Sequence, residues 1–498
     1  MVQVLNVMLW GDEVGRLAWD YKRRLSYFTY NPDFLKKGLN ISPLAVPVNG
    51  VRTLVPVWGE EDYIYQKLPS FVADSLPDSW GDKLFDLWRQ DNHLSNADIT
   101  PLDKLSFIGK RGMGALEFYP NISGTHNAGK VNMESLANLA ERIFSERGSV
   151  KIQPEDASTM ESLILLGTSA GGRQPKAIVA INPKTGEVRS GQIAGLKDFD
   201  YCLIKFGNSS YCSAELEMAY YKLATMAGIK MMPSELYPVD GKNHFMTKRF
   251  DRVNGTKIHI QTLAAIMPRA NSYEQLIEVC RKLHLPETDC FEVFRRMVFN
   301  ILSNNTDDHN KNFSFMMDKE GTWHLSPAYD ITYILDNGGF LPNKDHCMYI
   351  RAKLRNITRD DVIQFAKKNG IRRPDAIIRD VVNALKQFRI VAMQCGVVGP
   401  WLSRVEMTIN DHLKSWRELD EIEVPSVSET EINGHIVKNI HVEQAYRGNY
   451  HLIAEIDGCE RKFVISNNKE EFKLIESIGI SNLSFEQLKT MVEKYFKI

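Results

Sequence analysis

Asp307-Asp308-His309-Asn310-Lys311-Asn312, followed by Asp330, is the stretch on which the reading of this chain turns. Asp307 and an asparagine five positions later have the spacing of a phosphotransfer catalytic loop. Phosphoryl transfer asks little covalent work of a protein. It needs a base that positions a hydroxyl, oxygens that hold magnesium on the phosphates, and cationic or backbone donors that spread charge. The flanking residues give the spacing a geometry. Phe294, Met297, Val298, Ile301 and Leu302 recur at helical spacing and stop at Asn304-Asn305, so Asp307 falls just past a helix C-terminus. Phe313-Ser314-Phe315-Met316 and Thr322-Trp323-His324-Leu325 are strands around a turn at Asp318-Lys319-Glu320-Gly321. A hairpin of that register returns Asp330 toward Asn312, where their oxygens can share a magnesium ion. Asp307 is the expected base, and Asn312 and Asp330 the expected metal ligands.

Upstream, Lys205 ends an apolar strand, Tyr201 to Phe206, and precedes a helix carrying Glu215 and Glu217. A lysine that holds ATP phosphates is oriented by a helical glutamate, and either glutamate satisfies that pattern. The loop Gly167 to Lys176, with Gly171 and Gly172, allows close backbone approach to phosphates. It matches neither G-x-x-x-x-G-K-[ST] nor G-x-G-x-x-G. Thr168 and Ser169 place hydroxyls where self-phosphorylation would disturb nucleotide binding.

The rest of the chain frames these residues. Residues 2–30 read as strands, with Val2, Val4 and Val7 on one apolar face and a turn at Gly11-Asp12-Glu13. A helix opens near Ser79, and Ala115 to Tyr119 is a strand. A Gly, Asn and Ser-rich stretch at 121–130 marks a boundary. A short helix from Ser158, a hairpin around Pro183-Lys184-Thr185-Gly186, the lysine strand, a helix from Ser213 to Gly228 and a strand from Asn243 to Phe250 follow. Residues 262–305 and 358–418 are mostly helical, which predicts an α+β unit whose two halves meet at a cleft. Beyond Pro425-Ser426-Val427-Ser428 the pattern returns to strands and a closing helix, a small separate module with no assigned chemistry. The expected divisions are 1–128, 129–252, 253–418 and 419–498.

Composition narrows the setting. At 498 residues, Lys+Arg total 61 against Asp+Glu 62, so the whole chain lacks the basic excess of a nucleic-acid-binding protein. The 7 cysteines are scattered without C-x-x-C spacing, which argues against a zinc site or disulfide framework. The start has no signal-peptide pattern, and no run reaches the roughly 20 apolar residues of a membrane span. A reducing cytoplasm without membrane attachment is expected. No H-E-x-x-H is present. His309 reads as support for its loop, and His259 and His324 as satisfied within strands.

Ser169-Ala170-Gly171-Gly172-Arg173-Gln174-Pro175-Lys176-Ala177, Lys248-Arg249-Phe250-Asp251-Arg252, Asp307 to Asn312 and Tyr329-Asp330 together resemble the HipA family of bacterial toxin kinases. Leu76-Pro77-Asp78-Ser79-Trp80-Gly81 and Ile108-Gly109-Lys110-Arg111-Gly112-Met113-Gly114-Ala115 are similar to that family's N-terminal subdomain. The resemblance covers roughly residues 1–418. It implies a bilobal fold like that of protein kinases and phosphoinositide kinases, with a β-rich N-terminal subdomain and a helical C-lobe, here followed by the small C-terminal α/β module. It also implies ATP and Mg2+ as cofactors, Lys205 as the ATP lysine, and a hinge at Arg249-Phe250 meeting adenine. Ser169 corresponds to the family's autophosphorylated serine, with Thr168 as the alternative. The implied partners are a HipB-like helix-turn-helix antitoxin, operator DNA through that antitoxin complex, and a protein substrate such as an aminoacyl-tRNA synthetase. The sequence departs from the family at Arg173-Gln174, where alanine-arginine is common, and in the added module after residue 420. A non-catalytic ATP-binding co-repressor and a kinase of a small molecule or lipid are the competing readings.

Overall fold

A computed structural model of the chain describes residues 2–48, 53–54, 62–123, 130–145, 157–168, 172–192, 195–334, 343, 345–417, 430–444, 450–466, 469–478 and 485–497. Ser169 and Gly171 lie outside the described residues. The chain divides into two compact units, Met1–Ser415 and Trp416–Ile498.

Alternation decides the first sheet. Along Val4–Leu9, Leu5, Val7 and Leu9 are buried while Val4 is exposed. The expected grouping of Val2, Val4 and Val7 on one face is therefore corrected: a period of two puts residue 7 with 5 and 9, opposite residue 4. The reversal comes at Trp10-Gly11, both with positive φ, one residue earlier than the expected turn. Five antiparallel strands result, in the order Thr53–Leu54, Leu25–Tyr30, Asp12–Asp20, Val4–Leu9, Leu116–Tyr119. Helix Ser79–Asp91 belongs to this N-terminal part and buries Trp80, Leu84 and Phe85. They join one core with helices Met133–Ser145 and Ala157–Gly167 and the next sheet.

That second sheet is also antiparallel, in the order Val188–Ser190, Lys176–Ile181, Asp200–Lys205, Lys242–Lys248, Ser234–Val239. Its register sets Lys176 directly opposite Lys205, and Phe245 opposite Lys205 on the other side. Helix Ser213–Met226 packs against it. The chain that follows is mostly helical, with helices Tyr273–Lys282, Glu287–Ser303, Arg359–Lys368, Pro374–Leu385, Phe388–Gln394 and Pro400–Arg417. A three-stranded sheet of His259–Thr262, Ser314–Met317 and Trp323–Leu325 carries the expected hairpin, with Phe315 opposite Leu325.

The second unit is a four-stranded antiparallel meander, Thr430–Ile432, His435–Gln444, Tyr450–Ile456 and Cys459–Ile465, followed by helices Glu470–Ile478 and Phe485–Phe496. Asn433-Gly434 and Asp457-Gly458 each form a two-residue reversal with positive φ at both positions, the backbone that matches strand twist in a hairpin. Leu452, Ala454, Ile456 and Ile465 pack with Met491 and Val492 in its core.

His259 is less satisfied than the sequence suggests. It is fully buried, its Nε2 meets the Ile41 carbonyl at 3.0 Å, and its Nδ1 has no hydrogen-bond partner among the described residues. Burial holds the imidazole well down, at about 4 against an ordinary 6.5. The unfolded chain therefore binds the proton first as pH falls between those values, so stability drops with falling pH in that window. The loss from this group should reach about 2 kcal/mol by pH 5. Urea unfolding at pH 7 and pH 5 checks it: wild type should lose more stability than His259→Gln, and equal losses would refute the assignment.

Candidate active site

Helix Glu287–Ser303 ends at Asn304, whose left-handed backbone (φ 60°) turns the chain out of the helix and into the loop that carries Asp307. The two adjacent aspartates then part. Asp308 is buried and accepts from the Tyr273 hydroxyl at 2.7 Å, His346 Nδ1 at 3.0 Å and the Cys347 amide at 2.8 Å. Tyr273 accepts in turn from Asn300 Nδ2 at 2.9 Å, and Asn300 Oδ1 accepts from Asn305 Nδ2 at 2.9 Å. This buried polar chain anchors the loop to two helices, because each member is hydrogen-bonded in a low-dielectric interior. Asp307 points the other way, with its side chain 49% exposed. Its carboxylate lies 3.9 Å from His309 Nε2 and 3.9 Å from Cys347 Sγ. His309 supports the loop, as its Nδ1 accepts from the Lys311 amide at 3.2 Å.

Asn312 donates its Nδ2 to the Asp307 carbonyl at 2.7 Å, which turns the amide oxygen away as the donor atom suited to a hard cation. The hairpin brings Tyr329 back so that its hydroxyl donates to the Lys311 carbonyl at 2.7 Å. Asp330 follows with a left-handed backbone (φ 57°), and its Oδ1 accepts from Lys205 Nζ. Lys205 donates also to Glu217 Oε1, so the glutamate of the pair is Glu217; Glu215 instead accepts from Asn243 Nδ2 at 2.9 Å.

These charges sit largely out of water. Burial works against the Lys205 ammonium, but Asp330 and Glu217 outweigh it and hold the lysine above its ordinary value. Burial likewise works against ionised Asp330, yet Lys205 and Lys176 keep that carboxyl well below the usual range. Burial pushes the Glu217 carboxyl up, opposed by Lys205. Lys176 is pulled down by burial and by its neighbour Lys205, with Asp330 opposing. Two lysines opposite each other on neighbouring strands repel, and Asp330 and Glu217 supply the opposing charge.

The glycine loop runs from a helix into a strand. Gly172 has φ 101°, a backbone that favours glycine, and a Cβ there would meet the end of the Lys176 side chain, Nζ, at 2.6 Å. Its amide donates to Asp78 Oδ2 at 2.9 Å, and Asp78 Oδ1 accepts from Lys311 Nζ at 2.7 Å. Thr168 is fully buried, its hydroxyl donating to the Ile164 carbonyl, so it is not presented for modification. Arg249 also turns inward. Its Nε and Nη2 donate to Asp251 at 2.7 and 2.6 Å, and Asp251 accepts the Gly114 amide at 2.7 Å. The Arg249 side chain is thus engaged by Asp251, which in turn ties the strand end to Gly114 of the N-terminal subdomain. Phe250 stacks on Tyr329 at 5.7 Å.

The structure brings Lys205, Glu217 and Asp330 together and sets Asn312 on the Asp307 main chain, as the sequence leads one to expect, with Glu217 as one of two options. Asp78, Lys176 and Lys311 were not given roles. Lys176 has a readable signal, a lysine opening an otherwise apolar strand that pairs with the strand of Lys205.

The two lobes, the lysine–carboxylate cluster and the asparagine-bearing loop define a kinase-like fold. The chain belongs to the HipA family: the family described as HipA N-terminal domain matches residues 5–119, and that described as HipA-like C-terminal domain matches residues 168–388. HipA of Shewanella oneidensis MR-1, solved as a toxin–antitoxin complex with HipB and operator DNA, superposes with a TM-score of 0.61. That likeness covers 85% of this chain and 100% of the other at 16% identity. Two Sinorhizobium fredii proteins with provisional kinase names are similar in sequence. Y4mE is 24% identical over 178 residues, 32% of this chain and 42% of its own length. Y4dM is 25% identical over 232 residues, 42% of this chain and 56% of its own length. The chain thus spans about half the length of the curated relatives it matches. No helix among the described residues is long and apolar enough to cross a membrane.

Proposed function

We propose that this protein is an ATP- and magnesium-dependent serine/threonine protein kinase, the toxin of a toxin–antitoxin pair. The observation that carries the reading is Lys205, shared between Glu217 on its own lobe and Asp330 on the returning hairpin. That arrangement orients an ammonium toward nucleotide phosphates and presents a carboxylate to a metal. Asn312 and Asp330 offer oxygen donors, which suits magnesium, and they would hold it. The chemistry supplied by magnesium, when held there, would be neutralisation of phosphate charge. Asp307, half-exposed and with no lysine or arginine partner among the described residues, accepts the proton of the attacking hydroxyl. Lys205 and Lys176 stabilise the phosphate oxygens, and Asp308 keeps the loop from drifting.

The family supports a toxin role, and the Shewanella complex supports a HipB-like helix-turn-helix antitoxin through which operator DNA is met. The protein substrate is a translation component such as an aminoacyl-tRNA synthetase. Ser169 is the proposed autophosphorylation site, since Thr168 has its hydroxyl in use. Purified protein incubated with magnesium and γ-labelled ATP, alone and with aminoacyl-tRNA synthetases, should transfer label to serine or threonine. Absence of labelled protein under all these conditions, or label only on a small molecule or lipid, would overturn the reading.

A further inference from the structure

Asp78 belongs to the N-terminal subdomain, far in sequence from every residue of the phosphotransfer cluster, yet its two carboxylate oxygens hold two of that cluster's loops. Oδ2 accepts the Gly172 amide at 2.9 Å and Oδ1 accepts Lys311 Nζ at 2.7 Å. We propose that Asp78 is a positioning residue of the phosphotransfer site, a strut that sets the glycine loop and the catalytic loop in register. The proposal rests on the kinase reading of the same site.

Local structure shows that this arrangement displaces a simpler one. Asp78 stands at the N-cap of helix Ser79–Asp91, where an aspartate ordinarily accepts an amide of its own helix. It makes no such side-chain cap bond. A local preference has been given up for contacts 94 and 233 residues away. Both new bonds involve an ionised partner, the stronger kind of hydrogen bond. Burial disfavours the charge, but Lys311 and the Gly172 amide more than offset it and keep the carboxyl below its ordinary value.

The mounting around Asp78 is rigid. The Trp80 amide donates to the Gly172 carbonyl at 3.3 Å, so the same peptide unit neighbourhood is gripped from both sides. Trp80 Nε1 donates to the Lys176 carbonyl at 3.1 Å. A Cβ on Gly81 would stand 2.3 Å from the Thr168 carbonyl oxygen, and one on Gly167 would stand 3.0 Å from Trp80 Nε1. The helix start and the glycine loop therefore touch backbone to backbone. A carboxylate that merely blocked a phosphate position would need the Gly172 amide alone. Here the carbonyl is fixed as well, and Gly172 lies against Lys176 Nζ, whose strand neighbour is Lys205. Asp78 thus acts on the phosphate-facing cations through Gly172, and on the loop of Asp307 through Lys311.

The test uses the full chain with Asp78→Asn, Asp78→Ala, Lys311→Met and the Asp78→Ala/Lys311→Met double variant. Each single change should raise the KM for ATP by about tenfold, the scale of one charge-assisted bond, with a smaller change in kcat. The double variant should be no worse than the worse single, because the two side chains act as one strut. An unchanged KM in Asp78→Asn would overturn the proposal. Faster phosphorylation would overturn it too, since it would make Asp78 a competitor of phosphate. Amide hydrogen exchange of the peptide carrying Gly172 supplies a readout independent of catalysis. It should quicken in folded Asp78→Asn, and unaltered exchange refutes the strut. If wild type transfers no phosphate, the kinase reading fails while the exchange result still decides the role of Asp78.

Discussion

Asp307→Ala is expected to lower phosphate transfer from ATP by roughly 10²- to 10⁴-fold, the contribution of a positioned general base, while barely altering stability. The contrast comes from where its atoms lie. The side chain is about half exposed, and its near neighbours, His309 Nε2 and Cys347 Sγ, are each 3.9 Å away. The structural bond at this position uses the main chain: Asn312 Nδ2 donates to the Asp307 carbonyl, and alanine keeps that carbonyl. A substitution of this kind changes stability by about 0.5 kcal/mol or less. Asp308→Ala serves as the control, since it strips three donors of their buried acceptor and should destabilise the protein by about 1–3 kcal/mol or more. Transfer of γ-labelled phosphate, measured beside thermal melts of both variants, checks the pair. Equal activity in wild type and Asp307→Ala would end the case for Asp307 as base.

That division between neighbouring aspartates shows what sequence could and could not convey. Spacing to Asn312 selected Asp307, and helical periodicity from Phe294 to Leu302 placed the loop after a helix end. Both signals are local, and the fold obeys them. The choice between Glu215 and Glu217 was not local. Both lie on the first turns of one helix, and what separates them is which strand neighbour each meets, Asn243 or Lys205. Asp78 was beyond reach for the same reason: by position it is a helix cap, and its actual partners are set by tertiary packing. Strand Ser234–Val239 does carry a mark readable in the sequence. Asp240-Gly241, with positive φ at both residues, is the same two-residue reversal as Asp457-Gly458, and it pairs Val239 with Lys242. Helix Met133–Ser145 carries one as well, since Met133, Leu136, Ala137, Ala140 and Ile143 make a buried stripe at helical spacing.

Lys205→Met should damage stability and transfer together, because it removes one charge from a cluster that works as a unit. Glu217 is almost wholly buried, and Asp330 shares the same ammonium, so methionine leaves two carboxylates facing each other without that cation. Breaking a buried ion pair from one side costs about 3–5 kcal/mol. Lys176, opposite on the neighbouring strand, softens the loss without replacing the bonds. Activity should fall by about 10²- to 10³-fold at least, the range for removing one preorganised electrostatic group. The two effects can be separated by Lys205→Met/Glu217→Gln. Neutralising the partner as well should restore much of the stability, since an uncharged buried pair carries little desolvation cost, but should restore none of the transfer. A pH signature follows from the same cluster. Burial already raises the Glu217 carboxyl, and without Lys205 it rises further. A carboxyl whose folded value exceeds its unfolded one stabilises below the unfolded value, and that stability is lost as pH climbs through the folded value. Lys205→Met should therefore be more destabilised relative to wild type at pH 8 than at pH 5. Melting curves at the two pH values decide it, and a deficit that is the same at both would mean that Glu217 does not depend on Lys205 for its charge.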